Sequence, residues 1–255
     1  MAAGSASIRA LAAMTLCLAP LALLCSGKPR HPFTLGAYAT NLTDRTPNQR
    51  HNARLAAATI NGVVVRPHGV FSFNRLLRGW TRDKGYRLAP VSYDGVLMDD
   101  YGGGVCQTST TLYNAALLAG LPILERHPHT FAPGYAPPGR DAGVAYENVD
   151  LRFRNPYSWP VTIHARSEGA LLVCRIEGQH PPRQRVTLSS QILDRFEPPL
   201  APAAFGGTRY RTRWRLEGRP GLRVVIDRHF YSGGQEARRE RISDDTYRPL
   251  SIPPG

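Results

Sequence analysis

GGGVCQTSTTLYNAALLAGLP, running from Gly102 to Pro122, is the stretch on which the reading of the fold rests. Leu112, Ala115, Ala116 and Ala119 fall at i, i+3, i+4 and i+7, the period of one helical face, and Gly120 with Pro122 marks its end. A helix over 106–119 follows, with Cys106 in its first turn. Three consecutive glycines before the thiol allow the positive φ and close backbone approach that a Cβ would forbid.

Working outward, QRHNARLAAATI places Ala53, Ala56, Ala57 and Ile60 at the same spacing and predicts a helix over 48–61, closed by Gly62. Val63 to Val65 reads as a short strand ended by Pro67, and FSFN at 71–74 as a second extended piece. Gly85, Pro90 and Gly95 punctuate 79–98 into loops and short strands. Downstream, Val161, Ile163 and Ala165 alternate with Thr162, His164 and Arg166. A turn at Glu168-Gly169 leads to Leu172, Cys174 and Ile176 on a returning strand. This alternation buries Cys174 and leaves His164 in solvent. Helix, strands, helix, strands, without regular βαβ alternation, predicts an α+β fold: two helices packed on a mostly antiparallel sheet that includes 149–155 and 161–176. From Gln179 the text turns Pro- and Arg-rich and reads as a linker. TRYRTRWRL, RVVIDRHF and YSGGQEARRERI then read as strands of a small all-β domain, with a hairpin at Gly233-Gly234. The expected division is 1–27, 28–178 and 179–255.

The chain of 255 residues is 42% hydrophobic and 20% charged, ordinary globular usage that excludes a disordered polymer or a multi-span membrane protein. Arg9 followed by the apolar run Ala10–Leu24 and then Ser26 and Gly27 reads as an export signal, too short for a comfortable membrane span. Lipidation at Cys25 and retention as an anchor, with membrane contact through that uncleaved segment, are the alternatives. Export places the protein outside the cytoplasm and leaves Cys106 and Cys174 as the cysteines of the mature chain. The net charge of +13 then points away from nucleic acid and toward peptidoglycan or another anionic wall polymer, or toward a diffusely solvated basic surface.

A thiol at a helix N-terminus meets the positive end of the dipole, which favours thiolate. His129, just beyond the helix stop, is the expected base, with His127 its competitor across Pro128, and Asp141 is the expected third member orienting the imidazole. Gln107, Gly103 and Gly104 are candidates for oxyanion stabilisation or substrate positioning. Arg126 and Arg140 each read as a carboxylate-binding fork or as an ion-pair partner, Arg126 with Glu125. Ser109, Thr110 and Thr111 read as helix-capping hydroxyls, and Asp150 as a turn residue. No Cys/His/carboxylate set has structural-zinc spacing, so neither metal nor cofactor is expected. The same glycines and thiol also fit a close-packed helix start anchored by a buried cysteine. Two functions therefore stand side by side: a thiol-dependent amidase, peptidase or transpeptidase-like enzyme, and a non-catalytic wall-binding module. Because Cys174 is buried in the sheet while Cys106 faces a cleft, no disulfide is expected between them.

FSFN at 71–74, KGYRLAPV at 84–91, the glycine-cysteine block at 102–121, ERHPH at 125–129, PPGRDAGV at 137–144 and DLRFRN at 150–155 resemble, in order and spacing, the VanW family. His68 stands where that family is expected to carry Gly or an acidic residue. EGRPG, YSGG and RERISDDTYRP resemble more weakly the extracellular five-glycine domain family. The first resemblance implies an extracytoplasmic protein of the cell envelope linked to vancomycin resistance. The second implies an accessory domain of wall-associated proteins.

Overall fold

The computed structural model describes residues 32–93, 96–198 and 218–250. The fold is α+β and the strands pair antiparallel. One sheet has the order β1-β9-β8-β2, built from β1 (Phe33–Asn41), β2 (Val64–Val65), β8 (Val161–Glu168) and β9 (Leu171–Gly178). Helices α1 (Pro47–Ile60) and α3 (Val105–Leu118) cover it. Both helices lie where the sequence period puts them, and β8 and β9 form the expected hairpin, with Leu172, Cys174 and Ile176 fully buried. Cys106 and Cys174 are both free thiols.

α1 starts on a capping box: Thr46 Oγ1 accepts from the Gln49 N–H at 3.2 Å, and the Gln49 side chain accepts from the Thr46 N–H at 3.0 Å. Its buried face is Asn52, Ala53, Ala56, Ala57 and Ile60. β1 has no counterpart in the sequence reading. At Gly36 a Cβ would stand 2.3 Å from the Ala119 nitrogen, so β1 crosses α3 at a distance only glycine permits.

Four expectations are corrected. FSFN is split: β3 (Val70–Ser72) ends on Ser72, whose hydroxyl accepts from the Arg75 N–H at 3.1 Å and caps the short helix α2 (Phe73–Leu77). Second, 149–155 does not join the sheet of 161–176. Strand β7 (Arg152–Arg154) instead lies between β3 and β6 (Ile123–Glu125) in a separate three-stranded sheet. The break has a cause: buried Asn155 donates its amide to the carbonyls of Val65, Arg66 and Trp159, and Pro156 and Pro160 bring no N–H to a ladder. Third, Ser109, Thr110 and Thr111 do not cap α3, whose N-cap is Gly104; all three are buried and bond to neighbouring segments or back along the helix. Fourth, the stretch read as linker from Gln179 contains β10 (Arg185–Phe196), the first strand of a sheet ordered β10-β11-β12.

β11 (Gly221–Ser232) and β12 (Gln235–Tyr247) meet at the expected Gly233-Gly234 turn. TRYRTRWRL lies outside the described residues. Arg228, 3% exposed, reaches from β11 to the carbonyls of Leu117 and Leu121 at the end of α3, at 3.2 and 2.9 Å, and pairs with Glu240. The guanidinium thereby meets the negative end of the helix dipole. The hairpin of β4 (Leu88–Tyr93) and β5 (Val96–Tyr101) runs directly into the glycine block.

Candidate functional site

The glycines ahead of Cys106 are demanded by their neighbours. Gly102 and Gly104 have φ of 88° and 108°, in the region side chains avoid. A Cβ would fall 2.0 Å from Trp80 Cδ1 at Gly102, 2.7 Å from the Pro90 carbonyl at Gly103 and 2.3 Å from the Gln49 carbonyl at Gly104. The helix that follows is buried all round: of its 14 residues only Cys106 and Leu118 are not. Its polar residues are therefore tied inward. Ser109 donates to the Ala142 carbonyl at 2.6 Å, Thr110 accepts from the Ala142 N–H at 3.0 Å, and Asn114 donates to the Arg140 carbonyl at 2.7 Å. These bonds hold segment 140–142 along the helix, and Cys106 opens onto it with Sγ 3.4 Å from the Val144 carbonyl oxygen.

The same segment is pinned from the other side. His127 and Gly143 form an isolated antiparallel bridge, which sets residues 126–129 beside 141–144. Asp141 is completely buried, and its Oδ2 accepts from the His129 N–H at 2.8 Å and from His129 Nδ1 at 2.6 Å. A Nδ1–H held by a carboxylate leaves Nε2 for a reacting group. The His129 ring lies close enough to the Cys106 thiol to favour its thiolate, while the sulfur's own hydrogen bond goes to the Val144 carbonyl. The structure thus assembles Cys106, His129 and Asp141 in one chain of contacts. His127 goes elsewhere, to Glu125 at 3.1 Å on the surface.

Burial pushes the Cys106 thiol up, but His129, helped by the Val144 backbone, outweighs it and the net shift is downward. For His129 burial disfavours the charged ring, yet Asp141 and then Cys106 overcome it and raise the imidazole to about 10. Asp141 is pushed up by burial and more strongly down by His129, Arg126 and Tyr247, so it stays ionised. All three shifts favour a thiolate–imidazolium pair backed by a carboxylate. Cys174, by contrast, is pushed far up by burial alone.

The remaining expected site residues are placed otherwise. Gln107 turns away from the thiol: its amide donates to Thr40 Oγ1 at 3.1 Å and to the Asn41 carbonyl at 2.8 Å, so its side chain ties α3 to β1. Gly103 and Gly104 shape the helix start. Arg126 does not pair with Glu125. Its Nε donates to the Asp141 carbonyl at 2.6 Å, one terminal nitrogen meets Asp141 Oδ1 at 3.0 Å, and the other bridges both oxygens of Asp245 at 2.6 Å. Arg140 lies over the Tyr38 ring at 4.8 Å and donates to Asn114 Oδ1 at 2.7 Å. Asp150 accepts from Ser72 at 2.6 Å and from the Asn74 N–H at 2.9 Å, a turn-fixing role.

Two residues of β12 complete the site without any sequence signal that points to them. Tyr247, fully buried, donates its hydroxyl to Asp141 Oδ1 and accepts from the Gly139 N–H at 2.8 Å. Asp245 holds Arg126. The carboxylate of Asp141 is thereby gripped by His129, Arg126 and Tyr247 together.

A family model described as VanW like protein matches residues 48–177, which include the glycine block, Cys106, His129 and Asp141. The chain belongs to the VanW family. It is similar to the uncharacterized protein YoaR of Bacillus subtilis strain 168, with 42% identity over 139 residues, 54% of this chain and 46% of that protein. It is also similar to the vancomycin B-type resistance protein VanW of Enterococcus faecalis strain ATCC 700802 / V583, with 34% identity over 113 residues, 42% of this chain and 41% of that protein. The chain thus covers less than half the length of these two relatives. No solved structure matches. The VanW match ends before β10, so Asp245 and Tyr247 lie outside it, and the likeness of the C-terminal stretch to the five-glycine family rests on its residues alone.

Proposed function

We propose that this VanW-family chain is an extracytoplasmic, envelope-associated protein that uses Cys106 as a nucleophile on amide bonds of peptidoglycan or related wall peptides, by hydrolysis or acyl transfer. The observation that carries the reading is the Cys106–His129–Asp141 arrangement at the one opening in the first three turns of an otherwise buried helix. In the first step Sγ attacks the carbonyl carbon, the C–N bond breaks, and the amine leaves with the proton from His129. In the second, water or an acceptor amine gives its proton to His129 and displaces the thiol, yielding an acid or a new amide. Asp141 holds the imidazole in one orientation throughout, and the positive end of α3 favours the developing oxyanion. Export is supported by the Ala10–Leu24 run, and the wall setting by the vancomycin-resistance name of the enterococcal relative and by the basic charge.

The test is incubation of peptidoglycan fragments with wild type and Cys106→Ala, read by mass spectrometry. A cleaved or transferred product that forms with wild type and is absent with the variant is the expected result. No product, together with a thiol that iodoacetamide reaches only after denaturation, overturns the enzyme in favour of a wall-binding module.

A further inference from the structure

Between β1 and α1 the chain turns tightly, with the Arg45 N–H donating to the Leu42 carbonyl at 3.1 Å. The turn carries the Arg45 guanidinium over the ring of Tyr135, Cζ 5.2 Å from its centroid. That ring stands edge-on to His129, centroids 6.4 Å apart at 86°. Arg45, Tyr135 and His129 are therefore consecutive contacts beside the thiol. Tyr135 also feels the charges of Cys106 and Arg45 on its hydroxyl, in opposite senses.

What sets Arg45 apart is its Nε. Arg126 has two carboxylates, Arg228 has Glu240 and two carbonyls, and Arg140 donates to Asn114. Arg45 pairs with no carboxylate, and its Nε is buried without an acceptor, the one arginine nitrogen so placed among the described residues. The side chain as a whole is only half-buried, so its terminal nitrogens are where an arriving carboxylate forms a charge-assisted pair. The flat face of Tyr135 fixes the plane of that fork.

The geometry points to Arg45, braced by Tyr135, as a carboxylate-binding subsite of the thiol site, so that the substrate is a peptide bearing a free carboxylate near the scissile amide. This rests on the thiol reading above and narrows its substrate class. The carboxylate is either a chain terminus or an acidic side chain, the same chemistry from two sources.

The experiment compares alkylation of Cys106 by iodoacetate and by iodoacetamide, near-isosteric reagents with and without a carboxylate. Expressed as the ratio of the two rates, the preference for iodoacetate falls about tenfold in Arg45→Gln, the scale of one charge-assisted hydrogen bond. Arg45→Lys, which keeps the charge, retains a ratio above that of Arg45→Gln. The source is read by protection of the wild-type thiol. Acetyl-Ala-Ala with a free terminus and acetyl-Ala-Glu-amide are each tried at millimolar concentration, and the protecting one identifies the source. Equal ratios in all three proteins, or protection by neither peptide, overturn the subsite while leaving the thiol reading intact. A Cys106 that neither reagent alkylates in the folded protein overturns both.

Discussion

At the scale of the residue, the pH behaviour of Cys106 is the sharpest consequence of the site. Its thiol is held below its ordinary value and the His129 imidazole is raised to about 10, so the thiolate–imidazolium pair is populated between those two limits. Iodoacetamide labelling of wild type is expected to begin below the free-thiol value of about 8.5 and to rise again near 10 as the imidazolium is lost. Asp141→Asn removes the strongest support for the charged ring. His129 then falls, the window closes, and the onset of labelling moves up toward the free-thiol value. The variant is also less stable by about 3 kcal/mol, because buried Arg126 loses one of its two carboxylates; urea unfolding measures this. The grouping of Cys106, His129 and Asp141 in space was legible in the sequence because each sits in a short, chemically distinctive stretch. The direction of the Gln107 side chain was not, since residue type does not reveal which way a helical position points until β1 is in place.

Among the elements, α3 shows what a period can and cannot reveal. Its apolar spacing located both ends, yet an amphipathic stripe implies one wet face, and α3 has none. Thr108, Ser109, Thr110, Thr111 and Asn114 are buried because carbonyls and side chains of other segments satisfy them. Such matching is invisible along the chain. α2 was missed for the opposite reason: five residues are too few to show a period, and a single serine cap decides them. His68 adopts a φ of 58° in the turn before β3, a left-handed conformation for which glycine is the easier residue. The start of α3 yields the prediction at this scale. Gly104→Ala meets both a positive φ and a Cβ position 2.3 Å from the Gln49 carbonyl, so it is expected to cost about 3 kcal/mol or more and to shift Cys106 out of contact with His129. A urea midpoint and an iodoacetamide profile equal to those of wild type would show that the glycine block does not set the thiol.

Over the whole molecule, the sheet β10-β11-β12 does more than follow the VanW match. Through Tyr247 and Asp245 it fixes the carboxylate that fixes the imidazole. Tyr247→Phe removes the donor to Asp141 and orphans the Gly139 N–H, at a cost of about 1–3 kcal/mol. Asp141, deprived of one partner that holds its carboxyl down, rises; His129 weakens, and labelling of Cys106 begins at higher pH than in wild type. An unchanged labelling profile in a destabilised Tyr247→Phe protein would reduce the sheet to a scaffold. This link could not be read from RISDDTYRP, because its partners stand 106 and 119 residues away. Proteins are made from the N-terminus onward, and domains fold as they emerge. The ribosome therefore adds the thiol early and the hydroxyl that steadies Asp141 more than a hundred residues later. A nascent or prematurely terminated chain carries Cys106 and His129 without the last support of Asp141, which arrives only when synthesis reaches β12.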